Sequence, residues 1–218
     1  MGVSGEELEG SELPEEFEAS FAGERDWRAR LEVSRQRGLG YAAPGGQFTR
    51  ALYEAVAGGV AEELKELLRG ERVVELGAGM MPYGYALAAS CGARNFVGVE
   101  PFYADVLQTS VQAFIAEETG RAPRIPFKVA ARDMLAYLLE EEDDLTCVLA
   151  CGIEDCILPG EEYKRKVEAE LLRVVRPGGA FVSSHSDLDP KGMRVTECWF
   201  RRLSAPSVKD RVRIYQKE

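Results

Sequence analysis

From Leu52 onward the apolar residues of this chain change period repeatedly, and each change marks an element. Leu52, Val56, Val60, Leu64 and Leu67 recur at helical spacing, with Thr49 as a candidate N-cap and Gly70 as the stop. Short apolar runs then alternate with amphipathic stretches. Strands are predicted over 72–76, 95–100, 126–130, 145–150 and 179–184, and helices over 83–90, 103–118, 134–140 and 161–174. Such alternation predicts a parallel sheet covered by helices on both faces. After Asp187 the period becomes strand-like, over 196–203 and 211–216, with SAPSVKD between. The expected fold is therefore α/β and doubly wound: a mainly parallel seven-stranded sheet, an antiparallel C-terminal hairpin and an N-terminal helical extension.

Three regions follow from this pattern. Residues 1–24 hold glutamates at 6, 7, 9, 12, 15, 16, 18 and 24 and no Lys or Arg, which suits an acidic, mobile arm. Residues 25–71 form a helical extension, beginning with a short helix over 26–35 and containing the turn-rich GLGYAAPGGQF, a candidate lid. Residues 72–218 form the main domain. The net charge of −10 belongs mainly to the arm, because the rest of the chain carries 27 basic against 29 acidic residues. No uniformly basic face for nucleic acid is evident, and the Arg25 to Arg37 stretch reads as a solvated helix of mixed charge. No apolar run approaches the ~20 residues of a spanning helix, and the acidic N-terminus is unlike a signal peptide. A soluble, cytoplasmic protein, monomer or homodimer, is the expectation. Five cysteines, an odd number, fit a reducing compartment better than a disulfide scaffold.

The chemistry concentrates in RVVELGAGMMPYG, residues 72–84, answered by Glu100 at the end of FVGVE. A glycine-rich turn after a strand lets backbone N–H groups approach a ligand, and an acid about 20 residues on suits two ribose hydroxyls. Gly77 and Gly79 match the first two glycines of the dinucleotide pattern. Pro82 occupies the place of the third, which weakens a nicotinamide or flavin reading. Cys147, Cys151 and Cys156 have the wrong spacing for a zinc set and read as buried small side chains, so no metal is expected.

ELGAG at 75–79, GVE at 98–100, ARDM at 131–134, LTCVLACG at 145–152 and RVVRPGGAFVSS at 173–184 occur in one order. That order resembles the class I S-adenosylmethionine-dependent methyltransferases over roughly residues 50–218. The resemblance implies S-adenosylmethionine as cofactor. It places Glu75, Gly77 and Gly79 under the methionyl part and Glu100, followed by Pro101, on the ribose. Asp133 would accept from the adenine amino group, with the Met134 N–H on the ring. Met81 and the MPYG tail depart from the family pattern. On the residues alone, Glu75 could cap a helix, Glu100 could end a strand, Asp133 could be an N-cap, and RPGG could be a helix stop and turn before the last parallel strand.

An acceptor would lie at the ends of the fourth and fifth strands, where open α/β sheets bind ligands. Cys151, assigned to the cofactor and facing both ligands, stands there with Glu154, Ser186 and His185, and Tyr41 and Phe48 are covering side chains from the lid. His185, the sole histidine, is the candidate general base. It could equally be a surface or capping residue. The nucleic-acid amino-methyltransferase signature of Asp or Asn, two prolines and an aromatic is absent; a small-molecule acceptor is the expectation, with RNA or protein as an open alternative. The alternatives are transfer of the aminopropyl group or another use of the same cofactor, and a non-catalytic nucleoside-binding module.

Overall fold

The computed structural model describes residues 46–101, 103–117, 124–142, 145–153, 158, 160–202 and 205–218. The acidic arm, the helix expected over 26–35 and most of the glycine-rich segment lie outside them. Helices α1 (Gly46–Ala57) and α2 (Glu62–Leu68) lead into β1 (Arg72–Leu76), α3 (Tyr83–Ser90), β2 (Asn95–Val99) and α4 (Ala104–Glu117). Next come β3 (Phe127–Ala130), α5 (Met134–Glu140), β4 (Leu145–Cys151), α6 (Glu161–Val174) and β5 (Val175–Ser184). Strands β6 (Arg194–Arg202) and β7 (Ala205–Gln216) close the chain.

The seven strands lie in the order β3-β2-β1-β4-β5-β7-β6. The first five in this order are parallel, and β7 pairs antiparallel with both β5 and β6. Chain order reverses between β1 and β4. Their carboxyl ends therefore flank the crevice where ligands bind in doubly wound sheets.

Alternation along each strand sends side chains to opposite faces and so builds two cores. Val73 packs in one with Leu52, Leu64, Tyr85 and Leu107, whereas Val74 and Leu76 pack in the other with Leu138, Val167 and Leu171. Helix α3 is apolar on nearly all sides, with Gly84 to Ala89 buried, and short side chains let it settle close to the sheet. Burial of Leu52 and Leu64, both inaccessible to solvent, contributes about 1.5–3 kcal/mol each and ties α1 and α2 to the same core as the sheet.

The long helix expected over 49–69 is two helices. Gly59, at φ 71°, breaks it, and Val60 is 54 % exposed instead of filling an apolar stripe. RPGG keeps the expected turn, but inside the start of β5: the register passes from Leu145–Val175 to Cys147–Ala180, so Arg176–Gly179 bulge out with Gly178 at φ 77°. The hairpin is longer than its apolar runs suggested, because most of SAPSVKD continues β7.

Candidate active site

The turn after β1 is built on left-handed backbone. Gly77 and Gly79 have φ of 64° and 66°, a region that L side chains enter at a cost of roughly 1 kcal/mol or more. A Cβ on Gly77 would also come within 2.5 Å of Ile153 Cδ1, so the side chain following β4 lies against this turn. Gly79 N–H donates to Glu100 Oε2 at 2.8 Å, and Tyr103 N–H donates to Glu100 Oε1 at 3.3 Å. The carboxylate at the end of β2 is thereby fixed against the glycine turn, and it is buried. An ionised carboxylate is an acceptor-only group, the type that receives hydroxyl donors of a ligand.

Glu75 lies on the α1 and α3 side of β1. Thr49 on α1 donates its hydroxyl to Glu75 Oε1 at 2.7 Å, while Glu75 Oε2 is buried and has no hydrogen-bond partner. Burial, reinforced by the charge of Glu100 and opposed by the Thr49 hydrogen bond, pushes the Glu75 carboxyl up to about 8. Gly84 explains part of the unusual MMPYG tail. A Cβ there would lie 1.7 Å from Glu75 Oε2, so any other residue at this position in the first turn of α3 would force the buried carboxyl to move. Pro82 is the N-cap residue of that helix, and its carbonyl accepts the Ala86 N–H.

The end of β5 carries the second group. Ser184 pairs with Cys151 in the sheet, so His185 follows directly from the edge of the crevice. His185 has φ 48°, the single positive value for a non-glycine among the described residues. Such backbone persists where its surroundings over-determine it. Here they do so twice: Nε2 lies 2.8 Å from Asp210 Oδ1 on β7, and the ring stacks on Phe48 of α1 with centroids 4.0 Å apart at 18°. Asp210 is buried, while the His185 side chain is 35 % exposed.

Asp133 has the N-cap geometry. Its Oδ1 accepts Ala136 N–H and the Tyr163 hydroxyl, each at 3.0 Å. Tyr163 in turn accepts Leu135 N–H, so α6 and the entry to α5 are locked together. Met134 opens α5 half-buried, and Pro101 directly follows Glu100. The Cys151 thiol is buried, and desolvation, followed by the nearby Glu75 charge, pushes it up to about 12. It is not a thiolate at neutral pH. Ser186 is buried, and its hydroxyl oxygen accepts Leu188 N–H in a local turn. Tyr41, Glu154 and Cys156 lie outside the described residues. Of the candidate lid, the described part, from Gly46, is the first turn of α1, and its Phe48 covers His185.

Sequence reasoning missed four participants. Thr49 was expected to cap a helix and instead sits inside α1, with its hydroxyl on Glu75. Gly84, Tyr163 and Asp210 act through partners 9 to 30 residues away, and no local pattern marks them. No group of three or more His, Cys, Asp or Glu that could hold a metal ion occurs among the described residues. No helix among them is long and apolar enough to cross a membrane. A separate shallow cleft beside β3 and α5, lined by Arg72, Lys128 and Glu141 among others, contains none of the residues above.

No family model matches the sequence, and no curated protein matches it either. Solved structures do resemble the chain. YhhF of Escherichia coli, which carries a provisional methyltransferase name, aligns with TM-score 0.50 and 10 % identity over 75 % of this chain and 87 % of its own. Spermidine synthase from Thermotoga maritima aligns with TM-score 0.52 and 10 % identity over 76 % of this chain. The match spans 60 % of that enzyme's length. A TehB-like SAM-dependent methyltransferase from Corynebacterium glutamicum gives TM-score 0.49 and 16 % identity over 88 % of this chain and all of its own. With the strand order and the glycine turn at the β1 end, the likenesses to YhhF and spermidine synthase show that the chain has the Rossmann-like fold of these proteins.

Proposed function

We propose that the protein transfers a methyl group from S-adenosylmethionine to a small-molecule acceptor. The observation that carries this reading is the Glu100 carboxylate, fixed by Gly79 N–H and Tyr103 N–H at the end of β2 beside the left-handed Gly77–Gly79 turn. In this arrangement Glu100 accepts from both ribose hydroxyls. Glu75, with one oxygen lacking a protein donor, answers the methionyl ammonium, and that cation draws the acid into its ionised form. Asp133 keeps Oδ2 for the adenine amino group, Met134 offers its backbone N–H to the ring, and Pro101 and Cys151 border the site.

The sulfonium supplies an electrophilic methyl group. The chain's part is alignment and exclusion of water. Holding nucleophile and methyl in line is worth effective molarities up to about 10⁵–10⁸ M. Phe48 covers the β5 end, and buried Ile153 lines the turn opposite it. A spermidine synthase shares this fold, so the products must be identified.

Calorimetry of the full chain with S-adenosylmethionine tests the cofactor. Glu100→Ala should weaken binding by at least tenfold, since hydrogen bonds to a charged group contribute about 1.5–3 kcal/mol each. Unchanged affinity in a folded variant would sink the ribose assignment. Incubation of labelled cofactor with a metabolite extract then identifies the reaction. S-adenosylhomocysteine signals methyl transfer, and methylthioadenosine signals transfer or cleavage of the cofactor's aminocarboxypropyl group.

A further inference from the structure

Two neighbouring residues of α1 reach different parts of the crevice. Thr49 bonds Glu75 at the β1 turn, and Phe48 stacks on His185 at the end of β5. The strands join the same two places. Ile153 lies against Gly77, and its carbonyl accepts the Asp187 N–H two residues beyond His185. The imidazole is thus tied to the rim of the cofactor turn by both a helix and a loop.

Its surroundings also specify its chemistry. A carboxylate is an acceptor only, so the 2.8 Å contact with an ionised Asp210 calls for hydrogen on Nε2, and in the neutral ring the lone pair is then on Nδ1. Asp210 comes from β7, a different element, and is almost wholly buried, whereas the imidazole is a third exposed. Phe48 fixes the ring plane from one face. An orienting acid, a partly exposed imidazole and a steric clamp, on a strained backbone position, are the parts of a general base and its supports.

We propose that His185 is the proton acceptor for a protic acceptor substrate, a hydroxyl or an amine, with Asp210 and Phe48 as its positioning residues. The proposal rests on the methyl-transfer reading and adds the substrate class. In the step, the acceptor's oxygen or nitrogen forms a bond to the methyl carbon as the carbon–sulfur bond breaks. That electron pair stays on sulfur and gives neutral S-adenosylhomocysteine. The proton leaving the acceptor moves to His185 Nδ1, and Asp210 stabilises the imidazolium. Carboxylate and thiolate acceptors carry no such proton and would leave this assembly without a task.

Because His185 is the sole histidine, ¹⁵N-histidine labelling of the full chain gives one imidazole to observe. The expected spectrum shows the neutral ring with hydrogen on Nε2, changed toward a tautomer mixture in Asp210→Asn and stripped of its ring-current shift in Phe48→Leu. Saturation with S-adenosylmethionine should move the Nδ1 resonance relative to saturation with S-adenosylhomocysteine, because the two differ only by the methyl group and its charge. Hydrogen on Nδ1 in the wild type overturns the proposal, and this arm needs no variant to fold. Binding of both ligands with identical imidazole spectra overturns it as well. Failure of either ligand to bind in calorimetry, with the Nε2 tautomer present, overturns the cofactor reading and with it the role assigned to His185.

Discussion

Thr49 Oγ1 donates to Glu75 Oε1 across 2.7 Å, joining helix α1 to the acid of the glycine motif in a fully buried contact. Among the described residues Thr49 is the single hydrogen-bond partner of a carboxyl whose other oxygen has none. Removing it should therefore be costly. Thr49→Val keeps the shape and deletes the donor, which predicts a loss of about 1–3 kcal/mol in urea unfolding. Thr49→Ser should recover most of it. Equal stability of the valine variant and the wild type would show that the hydroxyl is not holding the acid.

Glu75 makes the stability of the ligand-free protein depend on pH. Its folded-state pKa, raised to about 8, stands above the unfolded value near 4.5. Between these values the folded chain holds a proton that the unfolded chain has lost. Stability from this group is therefore fully present below about 4.5 and falls as pH rises toward 8, by at most about 1.4 kcal/mol per pH unit. Glu75→Gln should flatten that slope and raise the melting temperature at pH 8, and a slope that survives the substitution would locate the effect elsewhere.

Gly84 and Glu75 should be strongly coupled. Gly84→Ala places a methyl group where Oε2 sits, so it should destabilise by 1–3 kcal/mol or more, against the usual helix preference for alanine. In Glu75→Ala the obstruction is gone. The double variant should then be more stable than Gly84→Ala alone, and simple additivity in the cycle would exclude the clash.

The buried thiols should be inert. Burial pushes Cys91 and Cys151 each up to about 12, and Cys147 is raised further. Iodoacetamide at pH 8 should leave all three unmodified in the native protein, whereas the partly exposed Cys198 is open to reagent. Rapid labelling of Cys151, read by peptide mass spectrometry, would reopen a nucleophilic role for it.

Much of the sheet was legible because strand and helix periods differ. The bounds of β1, α3, α5 and α6 coincide with the apolar pattern. The helix before β1 was misread for a physical reason. A period of apolar residues continues through Gly58 and Gly59, yet the chain turns there, and the left-handed Gly59 ends α1. RPGG was legible as a helix stop and turn, whereas its hydrogen bonds to the backbone of Lys217 depend on a strand far away in sequence.

The sequence by itself determined the layered α/β fold, the glycine turn and the two acids that flank it, since strand length, left-handed glycines and chain spacing are local properties. The tertiary structure decided what each side chain does. It turned Thr49 from a cap into a donor for Glu75, gave Gly84 its reason, occupied Asp133 with Tyr163, and supplied His185 with Asp210 and Phe48. These partners meet only after the sheet has ordered its strands. Desolvation, too, acts only once the core has closed, and it is what makes Glu75 an acid with a pKa of about 8 instead of an ordinary carboxylate.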